Sequence, residues 1–297
     1  MYLYLVDSSI FVFRAWFGRP RENPAGEPNQ AFCGFSDFTY RLLTEQAPSQ
    51  IVFAFDESLA QSARKEIYPD YKANRAPAPD ELKRQFAWCR DWLDALGLSH
   101  VSSKRWEADD LIGSLARFHR RSDLPVAFLT GDKDLTQLVE EGDRWWSYLD
   151  NRILDYRGVE KKFGVRPDQI AEQLALAGDK VDNIPGVPEI GMKTAARLLK
   201  KFDSLENLLC HLDQVSAMKF RYAARVQQSL SDHRALAELS LRLTRIECAI
   251  EDMREVTTTR NAADLGRIES MLLAQGFEAA HCQRWLDLLT ESGSQMA

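Results

Sequence analysis

Paired cysteines are absent from this 297-residue sequence, whose five cysteines are scattered and form no CxxC pair. Such a set argues against a disulfide scaffold and against a zinc site, and it fits reduced thiols in the cytoplasm. Long apolar runs are absent as well. The apolar start, residues 1–6, stops at Asp7 without a basic leader, and no later stretch approaches a membrane span. We therefore expect a cytoplasmic protein without a secretion signal or a membrane anchor.

A basic excess is also missing, because the net charge is -6, which at first argues against a nucleic-acid partner. Nine clustered acids carry more negative charge than this net excess of six, however. Bound divalent cations would cancel part of their charge. These acids are Asp7, Asp56, Glu107, Asp109, Asp110, Asp132, Asp134, Asp179 and Asp182. Net charge therefore does not exclude nucleic acid. The length allows one large domain, or one domain with a satellite.

Three short apolar runs, each typical of a buried parallel strand, lead into aspartates. The runs are residues 3–6, 51–55 and 126–129, and the aspartates after them are Asp7, Asp56 and Asp132. In doubly wound α/β sheets, ligands bind at the carboxyl ends of the strands. Three acids placed there by separate strands predict a site at that edge.

A predicted helix start adds further acid, because Glu107, Asp109 and Asp110 precede apolar residues at helical spacing. Crowded carboxylates repel one another, and a hard divalent cation with oxygen ligands would gather them. Taken singly, these acids fit an interaction with the helix dipole, and Asp132 with Asp134 fits a turn or an N-cap. Their conjunction favours a metal-dependent centre.

The remaining segments give a coarse map of elements. Residues 81–96 predict an amphipathic helix, residues 145–149 and 152–156 a hairpin, and a glycine-punctuated turn after residue 178 leads into a helix over 194–202. Exposed amides at such a turn bind phosphate well. Further helices are expected up to residue 289, followed by a disordered polar tail over 290–297. We predict an α/β core over residues 1–177 and a helical region over residues 178–289.

Six motifs in this order resemble the bacterial 5′-nuclease family, which includes the N-terminal 5′→3′ exonuclease domain of bacterial DNA polymerase I and free-standing flap endonucleases. The motifs are Leu-Val-Asp (5–7), Phe-Asp (55–56), Tyr-Lys-x-x-Arg (71–75), Glu-Ala-Asp-Asp (107–110), Thr-Gly-Asp-Lys-Asp (130–134) and Gly-Asp-x-x-Asp-Asn-x-Pro-Gly (178–186). Each motif alone is weak, but six in the family's order are strong. The resemblance covers roughly residues 1–250.

The resemblance implies an α/β fold: a mostly parallel sheet with helices on both faces, a helical arch within about 58–105, and a helix–two-turn–helix module within 186–209. It also implies two Mg²⁺ ions, with Mn²⁺ as the alternative, and K⁺ at the module. The first ion would be surrounded by Asp7, Asp56, Glu107, Asp109, Asp110 and Asp132, and the second by Asp134, Asp179 and Asp182. Asp109 and Asp132 would belong to the catalytic centre together with Lys72 and Arg75.

DNA with 5′ ends, flaps or branches is the partner that the resemblance implies, bound by a monomer. Lys72 and Arg75 would steer the scissile phosphate, and Tyr71 either stacks on a base or packs in the core. The remaining expected DNA contacts are Gly186, Gly191, Lys193, Thr194 and Arg197.

The sequence departs from the family at Glu189, where the family has the first glycine of a Gly-Ile-Gly turn. No polymerase follows the nuclease region, so a stand-alone protein is expected. The leading hypothesis is a structure-specific 5′-nuclease. A non-catalytic module that binds branched DNA and an RNase of a related small fold are the alternatives. The nine acids disfavour the first alternative, and the chain length disfavours the second.

Overall fold

A six-stranded sheet forms the centre of the computed structural model, which describes residues 1–57 and 61–296. The strands are β1 Leu3–Asp7, β2 Gln50–Asp56, β3 Ser99–Ser103, β4 Val126–Leu129, β5 Arg144–Ser147 and β6 Arg152–Leu154. They lie in the order β3-β2-β1-β4-β5-β6, and every neighbouring pair is parallel except β5 with β6. The predicted α/β class, with a mostly parallel sheet, is confirmed, and the hairpin of β5 and β6 is shorter than expected.

Thirteen α-helices surround this sheet in the described ranges. The first seven are α1 Ser8–Trp16, α2 Gln30–Gln46, α3 Ala63–Ile67, α4 Asp80–Ala95, α5 Ala108–His119, α6 Tyr156–Phe163 and α7 Ile170–Ala177. The others are α8 Met192–Phe202, α9 Leu205–Cys210, α10 Ala223–Asp232, α11 Arg234–Thr244, α12 Leu265–Ala274 and α13 Ala279–Met296. None of these helices has the length and apolar content needed to cross a lipid bilayer.

Helices cover both faces of the sheet because successive strand residues point to opposite sides. Leu3 and Leu5 of β1 pack into a core with α5, α7, α8 and α11. Tyr4 and Val6 pack into a second core with α1, α2, α4, α12 and α13. Both faces of β1 are therefore buried, as its continuous apolar run predicts.

The central strand β1 lies between β2 and β4, so the chain reverses its direction of travel across the sheet at this point. After β1 the chain adds β2 and β3 on one side of it and then β4, β5 and β6 on the other. This change of side leaves a crevice at the carboxyl ends of β1 and β4. Asp7 ends β1, and Thr130 directly follows β4. The fold thus places the predicted acidic edge at its topological switch point.

The predicted arch region, residues 58–105, includes helix α4 and strand β3, which belong to the core and the sheet. Its residues 58–60 lie outside the described residues. Helix α4 packs in the second core through Leu82, Cys89 and Trp92, and β3 is the edge strand of the sheet. The polar sequence of β3 carries no buried-strand pattern, so this strand was missed. Residues 61–79, which include α3, lie between β2 and α4 in the chain. They remain as the candidate segment for the arch.

The last two helices return to the first half of the chain. Trp285 of α13 is fully buried, with its ring centroid 4.9 Å from that of Trp92 and 5.0 Å from that of Tyr40. Before α12, the amide of Asp264 donates to the carbonyl of Ala95 at 2.8 Å. The C-terminal helices therefore complete the layer that α2 and α4 begin.

The expectation of a disordered polar tail over 290–297 was wrong up to Met296, because α13 continues to that residue. Ala297 lies outside the described residues. Elongating an established helix adds one hydrogen bond for each residue fixed, so the helix that carries Trp285 extends into polar sequence.

Candidate metal and nucleic-acid site

Two hydrogen bonds join the acid-bearing ends of the central elements. The hydroxyl of Thr130, after β4, donates to Asp7 Oδ2 at 2.9 Å. The amide of Ala108, the first residue of α5, donates to Asp56 Oδ1 at 2.9 Å. The ends of β1, β2 and β4 and the start of α5 are therefore held around one region, as the sequence predicts.

Several carboxylates in this region raise one another's pKa. Burial and the charges of Asp56 and Asp132 raise the pKa of Asp7 to about 8. Burial and Asp132 raise the pKa of Asp134 to about 7. The pKa of Asp109 lies well above its ordinary value because of burial, Asp132 and Asp7. Like charges are thus crowded at the site, as expected of an unneutralised cation site.

Other carboxylates of the site are paired with cationic side chains. Lys72 Nζ lies 2.6 Å from Glu107 Oε2 and 3.6 Å from Asp182 Oδ2. Arg75 contacts Asp182 Oδ1 at 2.5 Å, and Lys133 Nζ contacts Asp179 Oδ2 at 2.6 Å. The predicted residues Lys72 and Arg75 therefore reach the acidic cluster.

These ion pairs outweigh burial in setting two pKa values. Burial alone would raise the pKa of Glu107, but Lys72 and Arg64 hold it below its ordinary value. Burial would likewise raise the pKa of Asp179, but Lys133 holds it low. Both carboxylates are charged in the folded protein at neutral pH.

Asp110, one of the acids predicted to surround the first metal ion, has both carboxylate oxygens bound by protein groups. Its Oδ1 accepts from Arg64 at 2.7 Å and from the amide of Glu247 at 2.9 Å. Its Oδ2 accepts from Arg64 at 2.6 Å and from the amide of Glu107 at 3.1 Å. Both oxygens are occupied and the side chain is buried, so Asp110 holds the surrounding backbone in place.

Tyr71 does not fit the predicted role of stacking on a DNA base, because its side chain is only 2% exposed. Its hydroxyl donates to Glu107 Oε2 at 3.1 Å, so it orients that carboxylate. The alternative expectation, a core tyrosine, is the one that the structure supports.

Arg64 and Lys133 are two contributors that the sequence analysis did not assign to the site. Arg64 lies in the basic stretch before the Tyr-Lys-x-x-Arg motif but carries no motif signal of its own. Lys133 stands between Asp132 and Asp134, and this position between two site acids was the available signal.

An open cleft of about 420 Å³ lies beside the acidic cluster. Its lining includes Asp132, Asp134, Asp179, Asp182 and Arg75. Two acids from the end of β4 and two from the loop after α7 thus face one space.

The donor set of this region suits a hard divalent cation, because it consists of carboxylate oxygens. Asp134 Oδ1 is buried and accepts no hydrogen bond, and its nearest cation is Lys133 Nζ at 3.3 Å. Within the described ranges, no three carboxylate, imidazole or thiol side chains already converge closely enough to hold an ion. Ion binding therefore requires side chains to turn away from their present partners such as Lys133.

The glycines predicted to contact DNA in the turn between α7 and α8 differ in their surroundings. Gly186 is buried with a φ of 64°, and its amide donates to Ser240 Oγ at 3.2 Å. A Cβ on Gly186 would lie 2.3 Å from the Gly178 nitrogen, so this glycine serves close packing and does not present its amide to phosphate. Gly191 faces open space.

Helix α8 begins directly after Gly191 without a side-chain cap. Lys193 and Arg197 are exposed on this helix, whereas Thr194 is half-buried and its amide is bonded to the Gly191 carbonyl. Uncapped amides and exposed cations at a helix start suit a phosphate group. Gly191, Lys193 and Arg197 remain predicted DNA contacts.

The ion-free protein should lose stability as the pH rises from about 5 to about 8. Asp7 and Asp134 have raised pKa values, so the folded chain holds more protons than the unfolded chain in this window, and its advantage is lost as these groups ionise. Urea unfolding midpoints in EDTA at several pH values measure this slope. Asp7→Asn should flatten it, and a wild-type stability that rises across the window would contradict the assignment.

Two family descriptions match nearly the whole chain. The family described as "5'-3' exonuclease, N-terminal resolvase-like domain" matches residues 2–164. The family described as "5'-3' exonuclease, C-terminal SAM fold" matches residues 165–264. These matches cover the sheet, the acidic site and the glycine-rich turn; the predicted division at residue 177 stays a prediction.

Curated relatives include a 5'-3' exonuclease of Aquifex aeolicus, 39% identical over 208 residues, which are 70% of this chain and 72% of that protein. DNA polymerase I of Pseudomonas aeruginosa is 39% identical over 251 residues, 84% of this chain. The match spans only 27% of that polymerase, about a quarter of its length.

Two solved structures share the fold. T5 5'-exonuclease with bound divalent metal ions (zinc) has a TM-score of 0.65 and 20% identity, covering 98% of this chain and 100% of that one. The catalytic core of Rad2 in complex with DNA substrate has a TM-score of 0.63 and 14% identity, covering 98% and 92%. At these identities the likeness concerns the fold.

Proposed function

The chain belongs to the 5'-3' exonuclease family, and on that premise we propose that it is a structure-specific DNA 5′-nuclease. It hydrolyses phosphodiester bonds at 5′ ends and flaps and leaves 5′-phosphate and 3′-hydroxyl ends. The observation that supports this proposal most directly is the cleft at the switch point of the sheet, lined by Asp132, Asp134, Asp179 and Asp182 beside Arg75.

Two divalent cations, Mg²⁺ or Mn²⁺, are the proposed cofactors. The carboxylates proposed to hold the first are Asp7, Asp56, Glu107, Asp109 and Asp132, and those for the second are Asp134, Asp179 and Asp182. The chemistry that two such ions supply is activation of a water molecule and neutralisation of charge on the leaving oxygen. Asp110 supports this set from behind, through Arg64 and the backbone.

Arg75 provides positive charge in the lining of the cleft, and the buried Lys72 adds positive charge 3.6 Å from Asp182 Oδ2, which also lines it. Burial would lower the pKa of Lys72, but Glu107 holds it well above its ordinary value, so the ammonium group stays charged at neutral pH. A phosphate arriving at the cleft meets both cations and competes with Glu107 and Asp182 for them. Charge aimed at the phosphate counts most when negative charge develops in the transition state.

The turn and α8 are proposed to hold the duplex backbone away from the cleft. Gly191 leaves room for close approach, and Lys193 and Arg197 add charge that follows the strand. The proposed K⁺ site lies at the same turn. Both features would orient a branched substrate so that its 5′ strand enters the cleft.

Cleavage of a 5′-flap duplex, labelled internally in the flap strand, tests this function. With Mg²⁺ the wild-type protein should release the flap and leave a ligatable 5′-phosphate, and EDTA should stop the reaction. The same substrate with an RNA flap strand measures any preference for RNA. Binding without cleavage in Mg²⁺ and in Mn²⁺ would instead support the non-catalytic module that binds branched DNA.

A further inference from the structure

An ion pair stands at Glu189, in the glycine-rich turn between α7 and α8. The carboxylate of Glu189 accepts from the Arg225 guanidinium at 2.6 Å. Arg225 belongs to α10, which lies 36 positions further along the chain. The carboxylate of Glu189 is therefore bound by a cation from a different element.

This pair is not needed to hold the turn in place. The hydroxyl of Ser229, also on α10, donates to the Pro188 carbonyl at 2.6 Å, and Gly186 is bonded to Ser240 of α11. The side chains of Glu189 and Arg225 stay 45% and 66% exposed. Exposed ion pairs contribute little to stability, so Arg225 can exchange Glu189 for another anion at little cost to the fold.

The surroundings of Arg225 carry more cations and one exposed ring. Lys219, Arg221 and Arg225 are all exposed. Tyr222 is 60% exposed, and the guanidinium of Arg221 lies 4.6 Å from its ring centroid. Basic side chains interleaved with an exposed aromatic ring are typical of a nucleic-acid surface. Glu189 contacts this surface through Arg225.

We propose that Arg225 is a DNA phosphate contact beside the turn, and that Glu189 limits this contact by competing with phosphate for the guanidinium. The pair then sets how tightly the turn holds duplex DNA and how strongly that binding depends on salt. This inference rests on the proposed function, because the phosphate partner is the substrate backbone. A bidentate guanidinium suits phosphate as well as it suits carboxylate.

Fluorescence anisotropy of a labelled 5′-flap duplex in EDTA, at several KCl concentrations, tests both parts of the proposal. Glu189→Gln frees Arg225 and keeps the side-chain size, so binding should tighten about twofold to fivefold, the upper part of the range of one exposed charge contact. Adding Arg225→Gln to that variant should weaken binding and reduce the magnitude of the log–log salt slope by about 0.9, the value for one phosphate.

The comparison of Glu189→Gln with the double variant isolates Arg225, because neither protein has the competing carboxylate. An unchanged salt slope between these two would overturn the assignment of Arg225. Equal affinities of the wild type and Glu189→Gln would overturn the competition. A wild type that binds no flap duplex would refute the proposed function together with this inference.

Glu251→Gln and Arg254→Gln are the matched controls. These residues form another exposed ion pair, at 3.1 Å. They flank Met253, whose carbonyl is 2.9 Å from the ring of His119 at the end of α5, whereas the acidic site lies at the start of that helix. Both controls should bind DNA with the wild-type salt slope. Unchanged thermal unfolding midpoints for all variants would exclude misfolding as the cause of any difference.

Discussion

Asp132→Asn should lower Mg²⁺-dependent flap cleavage about a thousandfold, comparable with the loss of a key electrostatic group in other active sites. The charge of Asp132 raises the pKa of Asp7, Asp109 and Asp134, so it interacts with several members of the acidic cluster. Asparagine keeps an oxygen for the amide of Asp134, which now donates to Asp132 Oδ1 at 2.9 Å. The substitution therefore removes charge while retaining this local hydrogen bond. Single-turnover cleavage at saturating protein measures the loss.

The same variant should be at least as stable as the wild type in EDTA near pH 8. Removing one of several crowded charges lowers the pKa of Asp109 and Asp134 towards ordinary values and relieves repulsion. Asp123→Asn is the matched control. Asp123 precedes β4 and Asp132 follows it, so the two residues lie beyond opposite ends of this strand. If Asp132→Asn cleaves like this control, the acidic cluster is not the catalytic centre.

Arg64→Met should destabilise the protein by about 3–5 kcal/mol, the usual cost of breaking a buried ion pair. Arg64 binds Asp110 through two hydrogen bonds, and its Nε donates to the Leu243 carbonyl at 2.9 Å. It therefore ties α3 to the start of α5 and the end of α11. Without it, Asp110 is left as a buried charge with only backbone amides as partners. Urea unfolding with a check of the m-value measures the change.

Arg105→Met provides the matched control for this prediction. Arg105 also forms two hydrogen bonds to a carboxylate, that of Glu66, but both side chains are more than half exposed. Its loss should cost less than about 1 kcal/mol. Adding Asp110→Asn to Arg64→Met should recover part of the stability, because it removes the unpaired charge. Equal costs for Arg64→Met and Arg105→Met would show that the buried pair has no structural role.

Much of the fold could be predicted because it follows from local patterns. The strand from Val126 to Leu129 was predicted with its observed bounds. A short, continuous apolar run that is followed by turn residues such as Gly131 is typical of a buried strand. Strand β3 was missed because an edge strand needs only one hydrogen-bonded neighbour and tolerates serine and histidine. Burial patterns identify central strands and do not identify polar edges.

The grouping of the acids could be predicted from the sequence, whereas their roles as metal ligands stay predictions. Acids at strand ends must meet because parallel strands share one edge, so grouping Asp7, Asp56 and Asp132 needed no knowledge of side-chain contacts. The pairing of Asp110 with Arg64 joins residues 46 positions apart, and no spacing rule selects it. The burial of Tyr71 likewise depends on contacts from distant elements. Sequence patterns locate charged groups, whereas tertiary packing decides which of them are neutralised.

The packing of Trp285 against Trp92 and Tyr40 has a consequence for synthesis of the chain. The layer that covers one face of the sheet is unfinished until α13 has left the ribosome, because no earlier segment supplies that indole. The parts of α2 and α4 that pack on Trp285 therefore remain uncovered while nearly two hundred further residues are translated. Contacts of such sequence separation form slowly. We expect this part of the core to stay accessible to general chaperones until α13 has been made, and to close only then.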